Sequence, residues 1–158
     1  MDLGIKKKKV VITGASQGIG FEIAKLFSKE GASVTIISSN KKKLNSAFKI
    51  INKNKKKVKH YKILGDLTKN KKLDMVLKKI LKNDTPDILI HNIGGTLGIK
   101  PALSSYSDWL KVINFNVGVA IKMNNKIIPL MKKKKIWSRS SHLFYISRVF
   151  TWFGTLCS

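Results

Sequence analysis

Acidic residues and cysteine are scarce in this chain. Its 158 residues include eight Asp and Glu against 32 Lys and Arg, which gives a formal net charge of +24. The single cysteine, Cys157, excludes an internal disulfide and fits a reducing compartment. No apolar run approaches the roughly 20 residues of a membrane span, and Met1 to Lys9 lacks the apolar segment of a secretory signal. These absences predict a single-domain cytoplasmic protein with no membrane association.

Arginine is almost absent as well, because all but two of the basic residues are lysine. A strong positive charge favours nucleic acid as a partner in general. Few aromatic residues lie among these lysines to stack on bases, however. Lys, Asn and Ile, which are all abundant here, are products of codons rich in A and T. We therefore expect a solvated lysine surface that favours small anionic ligands, and nucleic acid is an unlikely partner.

Apolar periodicity alternates between strand and helix along the chain. Strands are predicted at Lys9–Thr13, Ser33–Ser38, Val58–Leu64 and Asp87–His91, and helices at Ile19–Lys29, Lys41–Ile51, Asp74–Leu81 and Asp108 to about Lys134. Ser107 is the predicted cap of the last helix. This alternation predicts an α/β fold with a Rossmann-like, doubly wound parallel sheet.

A glycine-rich turn follows the first predicted strand directly and opens the first predicted helix. It has the sequence Thr13-Gly14-Ala15-Ser16-Gln17-Gly18-Ile19-Gly20. Gly14 permits a tight turn, Gly18 lets the backbone approach a pyrophosphate, and Gly20 lets the helix pack on the strand. The helix N-terminus then offers free N–H groups to phosphate. The turn predicts a dinucleotide-binding site.

The glycine spacing in this turn resembles that of the short-chain dehydrogenase/reductase family. Three further segments agree with that family: Gly65-Asp66-Leu67-Thr68, His91-Asn92-Ile93-Gly94-Gly95, and Trp109 to Val117. The resemblance implies that Asp66 bonds the adenine amino group and that Leu67 covers the ring. It places Asn116 at the catalytic Asn, with Asn114 as the competing candidate if the register slips. His91 departs from the family's Asn, and we expect it to be a structural histidine.

The resemblance implies a set of cofactor-binding residues and no metal site. These residues are Gly14, Ser16, Gln17, Gly18, Ile19, Gly20, Ser39, Asn40, Lys41, Asp66, Leu67, Asn92, Ile93 and Gly94. Cofactor choice depends on the end of the second strand, where a carboxylate selects NAD and basic residues accept the 2′-phosphate of NADP. Ser38-Ser39-Asn40-Lys41 contains no carboxylate. We therefore expect NADP(H) in preference to NAD(H).

The family's catalytic Tyr-x-x-x-Lys motif does not occur in this sequence. Tyr145 is followed by Val149 at the position of the Lys. The composition also changes after Lys135, because residues 136–158 contain no Lys, both Arg residues, and the only Cys. We therefore divide the chain into a dinucleotide-binding domain, 1–135, and an anomalous tail, 136–158. The sheet is expected to stop after about four strands, with an unpaired edge and a poorly packed tail.

A frameshift would account for this change of composition. Lys132–Lys135 can be encoded by a run of A, on which a reading frame slips easily. If Ile136 is ATA and Trp137 is TGG, reading one nucleotide later gives Tyr-Gly. Permitted codons then give Arg-Val-Val-His-Ile-Ser-Ser, and later Pro-Tyr-Ala. These sequences resemble the family's fifth strand and the start of its Tyr motif. The alternative is a natural, divergent end.

Three classes of function follow from these features. The resemblance implies an NAD(P)(H)-dependent oxidoreductase that oxidises an alcohol or reduces a carbonyl of a small molecule, with this chain inactive as it stands. The missing Tyr and Lys favour a non-catalytic dinucleotide-binding remnant instead, and the charge alone favours a basic nucleic-acid-binding protein. Members of the family usually form homo-oligomers. The sequence does not specify the substrate or the oligomeric state of this chain.

Overall fold

A parallel sheet with helices on both faces forms the framework of the chain. The structure, a computed structural model, describes residues 4–53, 58–99, 104–133 and 143–145. The described strands are β1 (Lys9–Thr13), β2 (Ser33–Ser38), β3 (Tyr61–Leu64), β4 (Ile88–His91) and β5 (Leu143–Tyr145), in the order β3-β2-β1-β4-β5. The helices are α1 (Gly18–Lys29), α2 (Lys41–Lys53), α3 (Asn70–Lys82), α4 (Tyr106–Ile113) and α5 (Val119–Lys133), with a π-helical segment, Asn114–Gly118, between α4 and α5. The predicted Rossmann-like fold is confirmed.

Two apolar cores, one on each face of the sheet, explain the unbroken apolar runs of the central strands β1 and β4. Val10 and Ile12 of β1 belong to the core that α1 and α2 cover, whereas Val11 belongs to the core beneath α3 and α5. Successive side chains of a strand point to opposite faces, so a strand buried on both faces needs apolar residues at every position. Ile36 and Ile37 of β2 divide between the two cores in the same way.

A fifth strand corrects the expectation that the sheet stops after four. The backbone of Leu143–Tyr145 pairs in parallel with Leu89–His91 of β4. Leucine and aromatic residues suit a strand, and the edge of β4 offers unpaired backbone groups to it. The edge of β4 is therefore covered, and β5 is the edge strand of the described sheet on this side. The predicted poor packing of the tail concerns residues that lie, apart from these three, outside the described part of the chain.

The start of the long C-terminal helix also differs from the prediction. Ser105, and not Ser107, is the N-cap of α4: its side chain accepts the backbone N–H of Asp108, whose side chain interacts with the Ser105 backbone in return. This reciprocal capping box needs an acidic or amide side chain three residues after the cap. Asp108 stands at that distance from Ser105, whereas Ser107 lies inside the first turn.

His60 explains why β3 begins at Tyr61 and not at Val58. Its Nδ1 accepts the backbone N–H of Val34 at 3.3 Å, so this donor on β2 bonds a side chain instead of the backbone of a neighbouring strand. The β2–β3 ladder consequently starts at the next pair, Thr35 and Tyr61. The Nε2 of the same ring lies 3.2 Å from Ser28 Oγ, and because Nδ1 accepts, Nε2 carries the proton.

The buried His60 predicts that the protein loses stability in acid. Burial lowers the pKa of His60 from its ordinary value of 6.5, so below about pH 6.5 the unfolded chain binds a proton that the folded chain does not. The free energy of unfolding should therefore fall as the pH drops, by at most about 1.4 kcal/mol per pH unit for this proton. Urea titrations between pH 8 and 5 would measure it.

His60→Phe provides the control for this acid sensitivity. The variant should be less stable at pH 8, by about 1–3 kcal/mol, because the Val34 N–H loses its partner. It should also show a shallower fall in acid, although His91, whose pKa burial also lowers, retains its own contribution of the same sign. Identical pH dependence in both proteins would refute the assignment to His60.

Candidate functional site

A cavity of about 260 Å³ opens where the carboxyl ends of β1, β2, β3 and β4 meet. The strand order reverses at β1, with β2 and β3 to one side and β4 and β5 to the other. Chain connections leave the sheet in opposite directions there, and the resulting crevice is the usual ligand site of such sheets. The cavity is lined by Gly14, Ser16, Gln17, Ile37, Ser38, Ser39, Asn40, Lys43, Gly65, Asp66, Leu67, Asn92, Ile93, Gly94 and Phe115.

Most of the residues predicted to bind the cofactor line this cavity together. They are Gly14, Ser16, Gln17, Ser39, Asn40, Asp66, Leu67, Asn92, Ile93 and Gly94. The predicted residues that do not line it are Gly18, Ile19, Gly20, Lys41 and Asn116. Five lining residues were missing from the predicted set: Ile37, Ser38, Lys43, Gly65 and Phe115. Ser38 and Gly65 belong to the motifs noted in the sequence and Phe115 directly precedes the predicted Asn116, whereas Ile37 and Lys43 had no such signal.

The glycine-rich turn has the shape that an anionic ligand needs. Gly14 and Gly18 have φ angles of +64° and +59°, a conformation that side chains disfavour. A Cβ at Gly14 would lie 3.0 Å from Cγ2 of Ile93 and 3.1 Å from the backbone oxygen of Asn92. Gln17 makes no side-chain capping bond to α1, and the first turn of that helix contains no acidic residue. The start of α1 thus carries neither a side-chain cap nor a carboxylate that would compete with an anion, and binding of a pyrophosphate there remains a prediction.

Asn92 joins the turn to the end of β4. Its backbone N–H donates to Thr13 Oγ1 at 3.0 Å, and its side-chain Nδ2 donates to the backbone oxygen of Gly14 at 3.0 Å. A Cβ at Gly20 would overlap this Asn92 amide. A Cβ at Gly20 would also lie 2.9 Å from the backbone oxygen of Gly14. Gly20 is thus required because the Asn92 side chain and the turn backbone both lie close beside α1.

Hydroxyl and amide groups connect the turn to the start of α2. Ser16 Oγ and Ser38 Oγ are 2.8 Å apart, and Ser38 Oγ also accepts the backbone N–H of Asn40 at 3.2 Å. Asn40 Oδ1 accepts the backbone N–H of Lys43 at 2.9 Å. These bonds hold the end of β2 without any carboxylate.

Lys43, and not the predicted Lys41, is the lysine that lines this side of the cavity. Both residues lie in the first turn of α2. An α-helix turns by about 100° per residue, so side chains two positions apart leave the helix in nearly opposite directions. Sequence proximity to β2 pointed to Lys41, but the phase of the helix decides which lysine lines the cavity.

Asp66 lines the cavity as an ionised carboxylate. Its Oδ1 accepts both the hydroxyl of Thr68 at 2.6 Å and the backbone N–H of Thr68 at 3.1 Å. The hydrogen bond from the Thr68 hydroxyl is the main reason that the pKa of Asp66 lies below its usual value. The neighbouring Leu67 is buried with 6% of its surface exposed. Their predicted contacts with adenine remain predictions.

Asn116 is buried at the centre of the π-helical segment, whereas the competing candidate Asn114 is exposed. The Asn116 amide spans the backbone of Gly95: Oδ1 accepts its N–H at 2.9 Å and Nδ2 donates to its oxygen at 2.8 Å. Nδ2 also donates to the backbone oxygen of Val112 at 2.8 Å. The described contacts of Asn116 therefore hold the loop after β4, and its catalytic role remains a prediction.

No helix among the described residues is long and apolar enough to cross a bilayer. No group of three or more His, Cys, Asp or Glu side chains among them could hold a metal ion.

Comparison with known proteins shows the family. A family model described as short chain dehydrogenase matches residues 8–138. The chain belongs to the short-chain dehydrogenase family, as its motifs indicated.

Curated relatives are considerably longer than this chain. An uncharacterized oxidoreductase of Staphylococcus epidermidis is 28% identical over 146 residues, which are 92% of this chain and 60% of the relative. The 3-oxoacyl-acyl-carrier-protein reductase FabG of Chlamydia muridarum is 33% identical over 130 residues, 80% of this chain and 52% of the relative. The chain thus spans between about half and three fifths of these relatives.

Solved structures of oxidoreductases share the fold. L-sorbose reductase from Gluconobacter frateurii, complexed with NADPH and L-sorbose, has a TM-score of 0.77 and 27% identity, and the match covers 85% of this chain and 51% of that one. A 7α-hydroxysteroid dehydrogenase complexed with NADH and 7-oxo glycochenodeoxycholic acid has a TM-score of 0.75 and 30% identity, with coverages of 84% and 51%.

The contact between Gly20 and Asn92 predicts a non-additive pair of substitutions. Gly20→Ala should lower the free energy of unfolding by about 1–3 kcal/mol, because the new methyl group overlaps the Asn92 amide. In an Asn92→Ala background the same change should cost less, since that amide is gone and only the backbone oxygen of Gly14, 2.9 Å from the new methyl group, still opposes it. Chemical denaturation of the wild type, both single variants and the double variant would measure the difference. Additive losses would contradict the proposed overlap.

Proposed function

We propose that this chain forms the dinucleotide-binding part of an NAD(P)(H)-dependent oxidoreductase that oxidises an alcohol or reduces a carbonyl of a small molecule. The observation that carries the proposal is the cavity at the strand-order reversal, bordered by a glycine-rich turn whose backbone a side chain would obstruct. Family membership and the two oxidoreductase structures above support the same class of reaction.

The residues of the cavity suit the parts of a dinucleotide. Gly14, Gly18 and the first turn of α1 would hold the pyrophosphate, and Asp66 with Leu67 would hold the adenine. Asn92 and Gly94 would border the nicotinamide end. When bound, the nicotinamide supplies the hydride, and the protein supplies position and electrostatics.

NADP(H) is the proposed cofactor in preference to NAD(H). Ser38 ends β2 and Ser39 follows it, where NAD-specific sites have a carboxylate, so no negative charge opposes a 2′-phosphate there. Lys43 lines the same side of the cavity and contributes a positive charge. A carboxylate introduced by Ser38→Asp would repel the 2′-phosphate and favour NAD(H).

Dinucleotide titrations of three variants would test this preference. The wild type should bind NADPH more tightly than NADH. Lys43→Ala should weaken NADPH binding by about tenfold, as expected for the loss of one charged contact of about 1–2 kcal/mol, and should leave NADH binding nearly unchanged. Lys41→Ala is the matched control and should have little effect. Ser38→Asp should reverse the order of affinities, which fluorescence of the reduced nicotinamide would report.

Two results would contradict the proposed preference. Tighter NADH binding by the wild type would show that the end of β2 selects NAD. Equal losses from Lys41→Ala and Lys43→Ala would show that these lysines act only through the overall charge of the protein.

Catalysis by this chain alone is proposed to be weak or absent. Its sequence has no Tyr-x-x-x-Lys, and positioned proton transfer is worth about 10²–10⁴ in rate. The chain would then act as a non-catalytic dinucleotide-binding protein. We propose that a frameshift within the codons of Lys132–Lys135 produced residues 136–158, and that the shifted frame encodes the missing motif.

The encoding DNA would test the frameshift directly. A homopolymeric run of A should span the codons of Lys132–Lys135, and removing one A should give an open frame that encodes the Ser, Tyr and Lys of the family motif. The protein made from that frame should reduce a carbonyl with NADPH, whereas the 158-residue chain should not. An interrupted run, or ordinary turnover by the 158-residue chain, would refute the proposal.

A further inference from the structure

His91 is the last residue of β4 and lies almost completely inside the protein, with 1% of its surface exposed. Its Nε2 is 2.9 Å from Oδ1 of Asn124 on α5. An amide oxygen only accepts hydrogen bonds, so Nε2 carries the proton. Burial lowers the pKa of the ring, which keeps it neutral near pH 7. The bond thus links the end of a central strand to the middle of a covering helix.

A second link joins the same two parts of the chain. Asn116, eight residues before Asn124, holds both backbone groups of Gly95, four residues after His91. Asn124 therefore contacts the end of β4, and Asn116 of the same helical stretch holds the loop that follows it. Gly94 lines the cavity, and Gly95 has a φ of +141°, so the segment that these links hold borders the proposed cofactor site.

The π-helical segment helps both amides to reach this segment. Eight residues of α-helix turn by about 800°, which would leave the two side chains about 80° apart. The backbone N–H of Val119 donates to Asn114, five residues earlier. A π turn contains more residues per turn than an α turn, so it reduces the angle between Asn116 and Asn124. The placement of Asn116 thus depends on the rotation of the helix that Asn124 and His91 help to set.

We infer that His91 is a positioning residue of the dinucleotide site: through Asn124 it sets the rotation of α5, so that Asn116 holds Gly95 at the border of the cavity. This inference rests on the proposed dinucleotide-binding function for its effect on ligand affinity. Its structural part does not, because the backbone N–H of Gly95 reports directly on the contact with Asn116. His91 reaches the cavity through Asn124 and Asn116, and it acts without touching the ligand.

The experiment compares His91→Leu with His91→Gln in the 158-residue chain. Leucine removes the donor, whereas the glutamine amide places a nitrogen near the position of Nε2 and can donate to Asn124. In His91→Leu, amide hydrogen exchange at Gly95 should accelerate by about tenfold and the Kd for NADPH should rise about as much, as expected for one lost buried hydrogen bond. His91→Gln should restore both within about twofold.

Two further variants keep the test decisive. Asn124→Leu removes the same hydrogen bond to His91 from its less buried partner. It should reproduce the faster exchange at Gly95 and the higher Kd for NADPH, and it provides the test if His91→Leu folds poorly. His60→Leu is the matched control: it removes a buried histidine outside the cavity and should change neither Gly95 exchange nor NADPH affinity of the folded protein.

The outcomes separate this inference from the proposed function. Unchanged Gly95 exchange in His91→Leu and Asn124→Leu, or no rescue by His91→Gln, would overturn the positioning role. Wild-type protein that binds neither NADPH nor NADH would overturn the proposed function, while Gly95 exchange would still decide whether His91 positions the helix.

Discussion

The hydrogen bonds between Asn92 and the turn after β1 determine the geometry of the whole site. The backbone N–H of Asn92 donates to Thr13 and its side chain donates to Gly14, so the ends of two adjacent strands cannot separate without breaking both. Gly20 lacks a side chain because the Asn92 amide occupies that space. Asn92 thus connects the end of β4, the glycine-rich turn and the start of α1, and it also lines the cavity.

The two faces of the sheet contribute differently to the cavity. On one side, Ser16, Ser38 and Asn40 connect the turn to α2 through short polar bonds, which leaves the end of β2 without negative charge. On the other side, Asn116 holds Gly95 by its backbone. Both sides position backbone through side-chain amides and hydroxyls, and such groups keep the same charge at every physiological pH.

Features that depend on neighbouring residues were predictable from the sequence. The glycine-rich turn lies between a strand and a helix that its own residues specify, and its positive φ angles follow from the glycines. The fold followed from the alternation of strand and helix for the same reason.

Features that depend on distant contacts were not predictable. β3 starts at Tyr61 because His60 binds the N–H of Val34, which is 26 positions away in the chain. Lys43 lines the cavity because of the rotation of α2, and Phe115 lines it from the π-helical segment between α4 and α5. The directions in which the side chains of Lys43 and Phe115 point cannot be read from the spacing of the lysines or from the motif that contains Phe115.

The π-helical segment, Asn114–Gly118, has a genetic consequence. Such a segment holds one residue more than the α-helix that would replace it, so deleting a single codon within 114–118 could leave a regular helix with every bond paired. The helices on either side would keep nearly the same relative rotation, because an α turn replaces the π turn, but the residues within the segment would be realigned and the amide of Asn116 would leave its place beside Gly95. Substitutions in this stretch of the gene should be tolerated far more often than changes of its length.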